Sequence, residues 1–245
     1  MSQLQVAKLS KHFGGVAALN EIHFGVEPGA RLAIIGPNGA GKSTLFNLIA
    51  GEQAPTIGAI FFNGVDVTGL AVHERANLGI GHTFQRSNLF FGLTVQQNVR
   101  LALQHRARLA GRWFISDGQA QTLTRGCEPV LEHVGLADAA DQRVSKLSYG
   151  QQRSLEIALA LACEPQLLLM DEPTAGMSPA ETRGIIRLID ALPPALTILI
   201  VEHDMDVVFA LAERIMVLHH GELIADGGPH EVKNDARVKE AYLGT

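Results

Sequence analysis

The sequence of 245 residues contains few cysteines and few large aromatic residues: two cysteines, one tryptophan and two tyrosines. Cys127 and Cys163 follow neither the spacing of a zinc site nor that of a disulfide framework. This argues against a zinc-binding module and against a disulfide-rich secreted domain. We expect a reducing cytosol, in which both thiols behave as buried small hydrophobic side chains.

Long hydrophobic runs are also missing. The first residues, MSQLQVAKLSKHF, lack the apolar segment of a signal peptide. The most apolar stretches, at 157–163, 167–170 and 196–201, are far shorter than the roughly 20 residues that span a bilayer. The sequence therefore predicts a soluble chain that reaches a membrane only through a partner.

A broad basic signature is absent as well. The formal net charge is −5, so nucleic acid is not the expected partner. The segment 105–113, HRARLAGRW, contains three arginines and one tryptophan, and we interpret it as a solvated face or a partner contact. With 47% hydrophobic residues, the chain can bury a sizeable core.

Short apolar strands alternate with helices along most of the chain. Residues 3–30 have the pattern of strands, and Asn63-Gly64 predicts a turn after a strand at 59–62. The other predicted elements are strand Arg31–Ile35, helix Lys42–Ala50 ended by Gly51, strand 79–84, a helix after Ser148, strand 166–170, helix 180–192, strand 196–201, helix 205–213 and strand 214–218. This order predicts an α/β fold with a mostly parallel sheet, preceded by an N-terminal antiparallel β region.

Between about 86 and 149 the pattern changes to helical spacing. The segments 95–110 and 127–140 read as helices, and 111–121 between them reads as a loop. We therefore expect a single domain over 1–245, in which 1–85 and 150–245 form the α/β core and 86–149 an inserted helical subdomain.

The stretch GPNGAGKST follows the first core strand and matches G-x-x-x-x-G-K-[ST]. Its glycines let backbone N–H groups turn toward phosphate oxygens, and the following helix adds the positive end of its dipole. We expect Lys42 to reach the β- and γ-phosphates and Ser43 to ligate Mg²⁺. The predicted phosphate-binding residues are Gly36, Pro37, Asn38, Gly39, Ala40, Gly41, Lys42, Ser43 and Thr44.

Two later strands end in side chains suited to ATP hydrolysis. Asp171 and Glu172 follow the strand 166–170, and His203 follows the strand 196–201. Ligands bind beyond the carboxyl ends of such strands, so these side chains are expected near the phosphates. Asp171 would bind Mg²⁺ through water, Glu172 would polarise the attacking water, and His203 would hydrogen-bond the γ-phosphate.

With the glycine-rich loop, Gln85, LSYGQQ, LLLMDEP and VEHD in this order, the chain resembles an ABC transporter ATP-binding subunit over essentially its whole length. Stretches such as KHFGGVAALNEIHF, GIGHTFQRSNLFFGLTVQQNV and the closing EAYLG are similar to the branched-chain amino acid uptake subfamily. The resemblance implies the ABC ATPase fold, in which 1–85 and 150–245 form a nucleotide-binding P-loop NTPase core and 86–149 form the inserted helical subdomain.

The resemblance also implies roles for individual residues. Phe13 stands where an aromatic ring packs on adenine, and Gln85 where a glutamine contacts Mg²⁺ and the membrane partner during catalysis. Ser148, Gly150 and Gln151 belong to the signature sequence, which faces the nucleotide of another subunit. Ser148 and Gln151 also have the spacing of a capping box, and a capping hydroxyl can still donate to phosphate.

ATP and Mg²⁺ are the implied cofactors, and the implied partners are proteins. They are a second ABC ATPase subunit in a head-to-tail dimer, integral membrane permease subunits and, indirectly, a periplasmic or lipoprotein solute-binding protein. This places the chain peripherally on the cytoplasmic face of the cell membrane. A homodimer and a heterodimer with a sister ATPase both fit the sequence.

Other cargoes and other classes of protein stay open as alternatives. After branched-chain amino acids, the next candidates for the cargo are urea, short amides or other amino acids. Lipopolysaccharide exporters are more distant relatives. A soluble ABC ATPase acting on nucleic acid or ribosomes fits less well, and a GTPase would need an N/T-K-x-D motif that the sequence lacks. Ser178 replaces the usual D-loop aspartate or asparagine, and Ser178 to Glu181 reads as a capping box with proline at N1.

Overall fold

The computed structural model describes residues 2–83, 89–107, 109 and 116–243. The chain forms two compact units. The first comprises Met1–His82, Gln166–Glu172 and Pro193–Thr245, and the second comprises Thr83–Pro165 and Pro173–Leu192. The second unit contains the segment predicted as a helical subdomain; the boundaries predicted at 85 and 149 stay a prediction.

The described strands are β1 (Leu4–Phe13), β2 (Val16–Val26), β3 (Arg31–Ile35), β4 (Ile57–Phe62), β5 (Val65–Asp66), β6 (Ile80–Thr83), β7 (Leu167–Asp171), β8 (Thr197–Val201), β9 (Arg214–His219) and β10 (Glu222–Gly227). One sheet is antiparallel, with the order β2-β1-β4-β5. The other has the order β10-β9-β3-β8-β7-β6; β9, β3, β8 and β7 run parallel, and β10 pairs antiparallel with β9. The predicted fold class is confirmed.

The described helices are α1 (Lys42–Ala50), α2 (Val72–Asn77), α3 (Val95–Arg106), α4 (Asp117–His133), α5 (Tyr149–Ala162), α6 (Pro179–Asp190), α7 (Met205–Leu211), α8 (Pro229–Asn234) and α9 (Ala236–Leu243). Helices α3 to α6 belong to the second unit. Helix α1 has the predicted bounds, and Gly51 ends it in the left-handed conformation. Within the described part of the chain, no helix has both the length and the apolar character of a membrane span.

Alternate residues of β3 pack into different hydrophobic clusters of the first unit. Leu32 and Ile34 join the cluster that contains α1 and the antiparallel sheet. Ala33 and Ile35 join the cluster that contains α7, α8 and α9. Because side chains of a strand alternate between the two faces of a sheet, both faces of the parallel sheet are covered. The strand is therefore apolar throughout, and polar chemistry begins where it ends.

The second unit has its own hydrophobic cluster, which includes Val99 of α3, Cys127 of α4 and Leu155 of α5. Cys127 is buried as expected, whereas Cys163 is half-buried. Desolvation raises the pKa of both thiols, so they stay protonated at neutral pH. Neither cysteine forms a disulfide.

Two predictions in the helical segment are wrong at their boundaries. Residues 117–121, which were predicted as loop, form the first turns of α4 because Ser116 and Gln119 make a capping box. The helix predicted over 127–140 ends at His133, and the next residues turn at Gly135, whose φ is 69°. Only a short 3₁₀ turn, Ala137–Ala139, follows.

A buried arginine holds the far end of α1. The Arg75 side chain of α2 is almost wholly buried, and its Nη1 donates to the carbonyl oxygens of Leu48 and Ile49, both at 2.7 Å. Its Nε and Nη2 donate to the carbonyl oxygens of Leu70 and Thr68, both at 3.0 Å. Since the last carbonyls of a helix have no partner within it, Arg75 satisfies the C-terminal end of α1 and complements its dipole.

Replacement of Arg75 with methionine is expected to lower the free energy of unfolding by about 3–5 kcal/mol, because buried carbonyl groups lose their donors. Urea unfolding followed by circular dichroism measures this change. Arg183→Met is a matched control on an exposed helical position, with an expected change below about 0.5 kcal/mol. Equal unfolding midpoints for Arg75→Met and the unmodified chain would contradict this role.

Candidate functional site

The glycine-rich loop connects β3 to α1 and leaves the start of that helix without a side-chain cap. Helix α1 begins after Gly41, which has no side chain that could cap its first turn. In contrast, Thr94, Ser116, Ser148 and Ser178 cap the starts of α3, α4, α5 and α6. The N–H groups at the start of α1 are therefore available to an anion, which the positive end of the helix dipole also favours.

Two glycines of this loop admit no other residue. A Cβ atom at Gly36 would lie 2.1 Å from the carbonyl oxygen of Leu218, and one at Gly41 would lie 2.7 Å from that of Ala18. The φ angles of Gly36 and Gly41 are 150° and 103°, and residues that carry a Cβ atom rarely adopt such values. The loop thus depends on close contact with neighbouring backbone.

Lys42 points its ammonium group into the loop. The side chain is buried, and Nζ donates to the carbonyl oxygens of Gly36 at 2.7 Å and Pro37 at 3.0 Å. Desolvation lowers the pKa of Lys42, and the charges of Glu172 and Asp171 oppose that change. Coulombic interactions of this strength act only between nearby charges, so both carboxylates lie near the Lys42 ammonium group. The structure thus brings these three predicted residues together.

Asp171 and Glu172 differ in burial and in backbone conformation. Asp171 is the last residue of β7 and is only 4% exposed. Glu172 has a φ of 45°, an unfavourable value for a residue with a side chain, and its N–H donates to the carbonyl oxygen of Val201 at 2.9 Å. This bond fixes Glu172 at the carboxyl end of β8. Local strain of this kind is concentrated at functional sites.

His203 lies beside Glu172, as predicted for residues that follow β7 and β8. Its Nδ1 is 3.6 Å from Glu172 Oε1 and 3.7 Å from Glu202 Oε2, distances longer than a hydrogen bond. The Glu202 side chain is fully buried, and its Oε2 accepts from the N–H groups of His203 at 2.9 Å and Asp204 at 3.3 Å. Sequence reasoning gave Glu202 no role. Its position directly after β8 was the only available signal.

Of the two remaining residues predicted to contact the nucleotide or its metal, the structure describes one. Phe13 ends β1 and is 49% exposed, and the ammonium of Lys11 lies 5.0 Å from the centre of its ring. An exposed ring can stack on a base, so the geometry is compatible with its predicted role. Gln85 lies outside the described residues.

Oxygen ligands at the site fit Mg²⁺. Mg²⁺ prefers oxygen ligands, and it usually combines one or two carboxylates with phosphate oxygens and water. Asp171 supplies a carboxylate and Ser43 an exposed hydroxyl. Among the residues that the structure describes, no group of three or more His, Cys, Asp or Glu side chains could hold a metal ion. The donor set therefore suits an ion bound with a nucleotide rather than in a protein cage.

The signature residues belong to the second unit, at the start of α5. Ser148 Oγ accepts from the Gln151 N–H at 3.2 Å, and Gln151 Oε1 accepts from the Ser148 N–H at 3.0 Å. The predicted capping box is thus confirmed. Ser178 and Glu181 form the second predicted box at the start of α6. The Gly150 N–H donates to Glu181 Oε1 at 3.1 Å, a link between the two helices that sequence reasoning missed.

Known proteins resemble the whole chain. A family model described as "ABC transporter" matches residues 19–175, and one described as "Branched-chain amino acid ATP-binding cassette transporter" matches 222–245. The high-affinity branched-chain amino acid transport ATP-binding protein LivG of Escherichia coli (strain K12) is 38% identical, with 100% of this chain and 99% of LivG covered. The lipopolysaccharide export system ATP-binding protein LptB of the same organism is 33% identical, with 100% and 98% covered.

Two solved structures share the fold. The ADP conformation of an ATP-binding cassette of an ABC transporter has a TM-score of 0.87 and 29% identity, and 100% of each chain is covered. A dimeric structure of a bacterial ABC transporter cassette has a TM-score of 0.77 and 28% identity, with 92% of this chain and 98% of that chain covered.

Proposed function

The chain belongs to the ABC transporter family, and from that premise we propose that it hydrolyses ATP to power an importer of branched-chain amino acids. The observation that carries the ATPase assignment is the convergence of Lys42, Asp171, Glu172 and His203 at the carboxyl ends of parallel strands. The choice of cargo is supported by the likeness to LivG and by the match of residues 222–245. Export of lipopolysaccharide is the second candidate, because LptB is also similar over its length.

Hydrolysis would use each part of the site in a distinct way. The uncapped start of α1 and Lys42 bind the phosphates, and Phe13 stacks on adenine. Glu172 accepts the proton of the attacking water, and its fixed backbone holds the carboxylate in place. His203 contacts the γ-phosphate. Mg²⁺, held by Ser43, Asp171 and Gln85, would neutralise charge on the phosphates.

A second ATPase subunit would complete each site. The first unit already supplies one cradle for phosphates, so the start of α5, with Ser148 and Gly150, is best explained as a contact for the nucleotide of a partner subunit. The dimeric relative supports such a pairing. If the partner is a second copy, a head-to-tail arrangement gives both sites the same contacts, whereas a sister ATPase would supply its own signature residues.

The second unit also offers a surface for integral membrane permease subunits. Phe90 and Phe91 are 58% and 43% exposed, so two adjacent aromatic side chains present apolar surface to solvent. The buried Asn98 holds the Phe90 backbone: its Oδ1 accepts from the Phe90 N–H at 2.9 Å, and its Nδ2 donates to the Phe90 carbonyl at 3.2 Å. A rigidly presented aromatic pair suits docking to a protein on the cytoplasmic face of the membrane. A solute-binding protein would then act through the permease.

Reconstitution tests the proposed cargo. We expect the chain to purify with its permease subunits, and the assembled complex in proteoliposomes to hydrolyse ATP several-fold faster with a solute-binding protein loaded with leucine, isoleucine or valine. Phosphate release measures the rate, and radiolabelled leucine measures transport. Urea, short amides and lipopolysaccharide are the comparison arms. Stimulation by one of these and not by leucine would reject the branched-chain assignment while leaving the ATPase intact.

A further inference from the structure

The start of α5 is already occupied by groups of its own chain. The Gln151 N–H donates to Ser148 Oγ at 3.2 Å, and the Gln152 N–H donates to the Ser148 carbonyl oxygen at 2.9 Å. The Gly150 N–H donates to Glu181 Oε1 at 3.1 Å. A phosphate that approaches this helix start therefore meets a carboxylate that holds one of the N–H groups.

Glu181 divides its two carboxylate oxygens between two helix starts. Oε2 accepts from Ser178 Oγ at 2.7 Å and from the Ser178 N–H at 3.0 Å, which closes the capping box of α6. Oε1 accepts from Gly150, at the second position of α5. The same side chain thus connects the loop before α6 to the signature sequence.

The absence of a side chain at Gly150 leaves room for Glu181. A Cβ atom at position 150 would lie 3.0 Å from Glu181 Cγ and 3.2 Å from its Oε1, closer than ordinary contacts. The missing side chain therefore lets the carboxylate reach the Gly150 N–H. This explains the glycine within a single subunit, before any nucleotide is considered.

The carboxylate is ionised at neutral pH. Hydrogen bonds from Ser178, and then from Gly150, lower the pKa of Glu181 below its ordinary value. A negative charge is favoured at a helix start, because it faces the positive end of the dipole. The γ-phosphate of a nucleotide would seek the same position for the same reason.

We propose that Glu181 competes with the γ-phosphate of the partner subunit's nucleotide for the Gly150 N–H, and so opposes ATP-driven pairing of the subunits. The inference rests on the proposed function, in which α5 reaches that nucleotide. When the phosphate replaces the carboxylate, Oε1 loses its hold on α5, and the loop at Ser178 is no longer tied to the signature sequence. Glu181 is thereby a positioning residue that connects this loop to nucleotide binding.

Glu181→Gln tests the competition. Glutamine supports a capping box as glutamate does, so the start of α6 is preserved while the negative charge is lost. In a Glu172→Gln background, which prevents hydrolysis, we expect the dissociation constant of the ATP-bound pair to fall about two- to fivefold. Sedimentation velocity with ATP, and with ADP for comparison, measures it. A residue with a structural role alone would leave pairing unchanged or weaken it.

Glu231→Gln provides the matched control. Glu231 occupies the equivalent position of α8, where its Oε2 accepts from the Gly228 N–H at 2.9 Å. Its replacement in the same background should leave the dissociation constant unchanged. An unchanged or larger constant for Glu181→Gln would overturn the inference. Failure of the Glu172→Gln background to pair with ATP would instead remove the proposed pairing, and the inference with it.

Discussion

A Glu172→Gln variant is expected to hydrolyse ATP at least about a hundredfold more slowly, while it binds MgATP with nearly unchanged affinity. Glutamine matches the shape of glutamate and cannot accept the proton of the attacking water. The backbone that holds the side chain, with its bond from the residue 172 N–H to the Val201 carbonyl, is unaffected by the change. Loss of rate without loss of binding is the signature of a group that acts on the reaction itself.

Phosphate release and titration with a fluorescent ATP analogue separate the two effects. Glu213→Gln is the control, because Glu213 is an exposed carboxylate of the same unit. It should hydrolyse ATP at the rate of the unmodified chain. The Glu172→Gln variant should also pair more extensively with ATP, since the nucleotide persists. Hydrolysis at the full rate by Glu172→Gln would eliminate Glu172 as the base.

The parallel core and its phosphate loop could be predicted from the sequence because their signals are local. An apolar strand, the glycine-rich loop and a helix ended by Gly51 follow one another between residues 31 and 51, and the structure has the same order and bounds. The sequence also indicated that Asp171, Glu172 and His203 lie at one edge of the parallel sheet, because each stands at or just after the end of a strand. Each of these features is set by a few neighbouring residues.

Contacts between distant residues could not be predicted in this way. Arg75 lies more than twenty residues from the Leu48 and Ile49 carbonyls that it binds, and Glu181 lies thirty-one residues from Gly150. The burial of Glu202 depends on the packing of the whole sheet. No periodicity or local motif encodes such pairings, since they follow from the topology that brings elements together.

The predicted boundaries of the helices in the second unit were wrong for a different reason. The glycine and polar side chains of 117–121 favour a loop, and the cap formed by Ser116 and Gln119 outweighs that preference. At the other end, apolar spacing continues past His133, but Gly135 turns the chain. Short capping interactions thus set both ends of α4 more strongly than the hydrophobic pattern.

A second subunit's contact with ATP is best tested at Ser148. Aspartate is as good a capping residue as serine, so Ser148→Asp keeps the start of α5 and adds a negative charge that repels phosphate. We expect ATP to bind to the phosphate loop with unchanged affinity, because every residue of that loop is unaltered. Hydrolysis should fall about a hundredfold, the order of effect seen when one charge-stabilising contact is lost.

Ser116→Asp is the matched control. It makes the same substitution at the N-cap of α4, where Ser116 Oγ accepts from the Gln119 N–H at 3.3 Å. The most direct measurement of the central claim is the rate of ATP hydrolysis by Ser148→Asp and Ser116→Asp, side by side, at equal ATP saturation. If a partner's signature sequence completes each site, Ser148→Asp loses hydrolysis and Ser116→Asp retains it. Equal rates for both variants and the unmodified chain would contradict a site shared between two subunits.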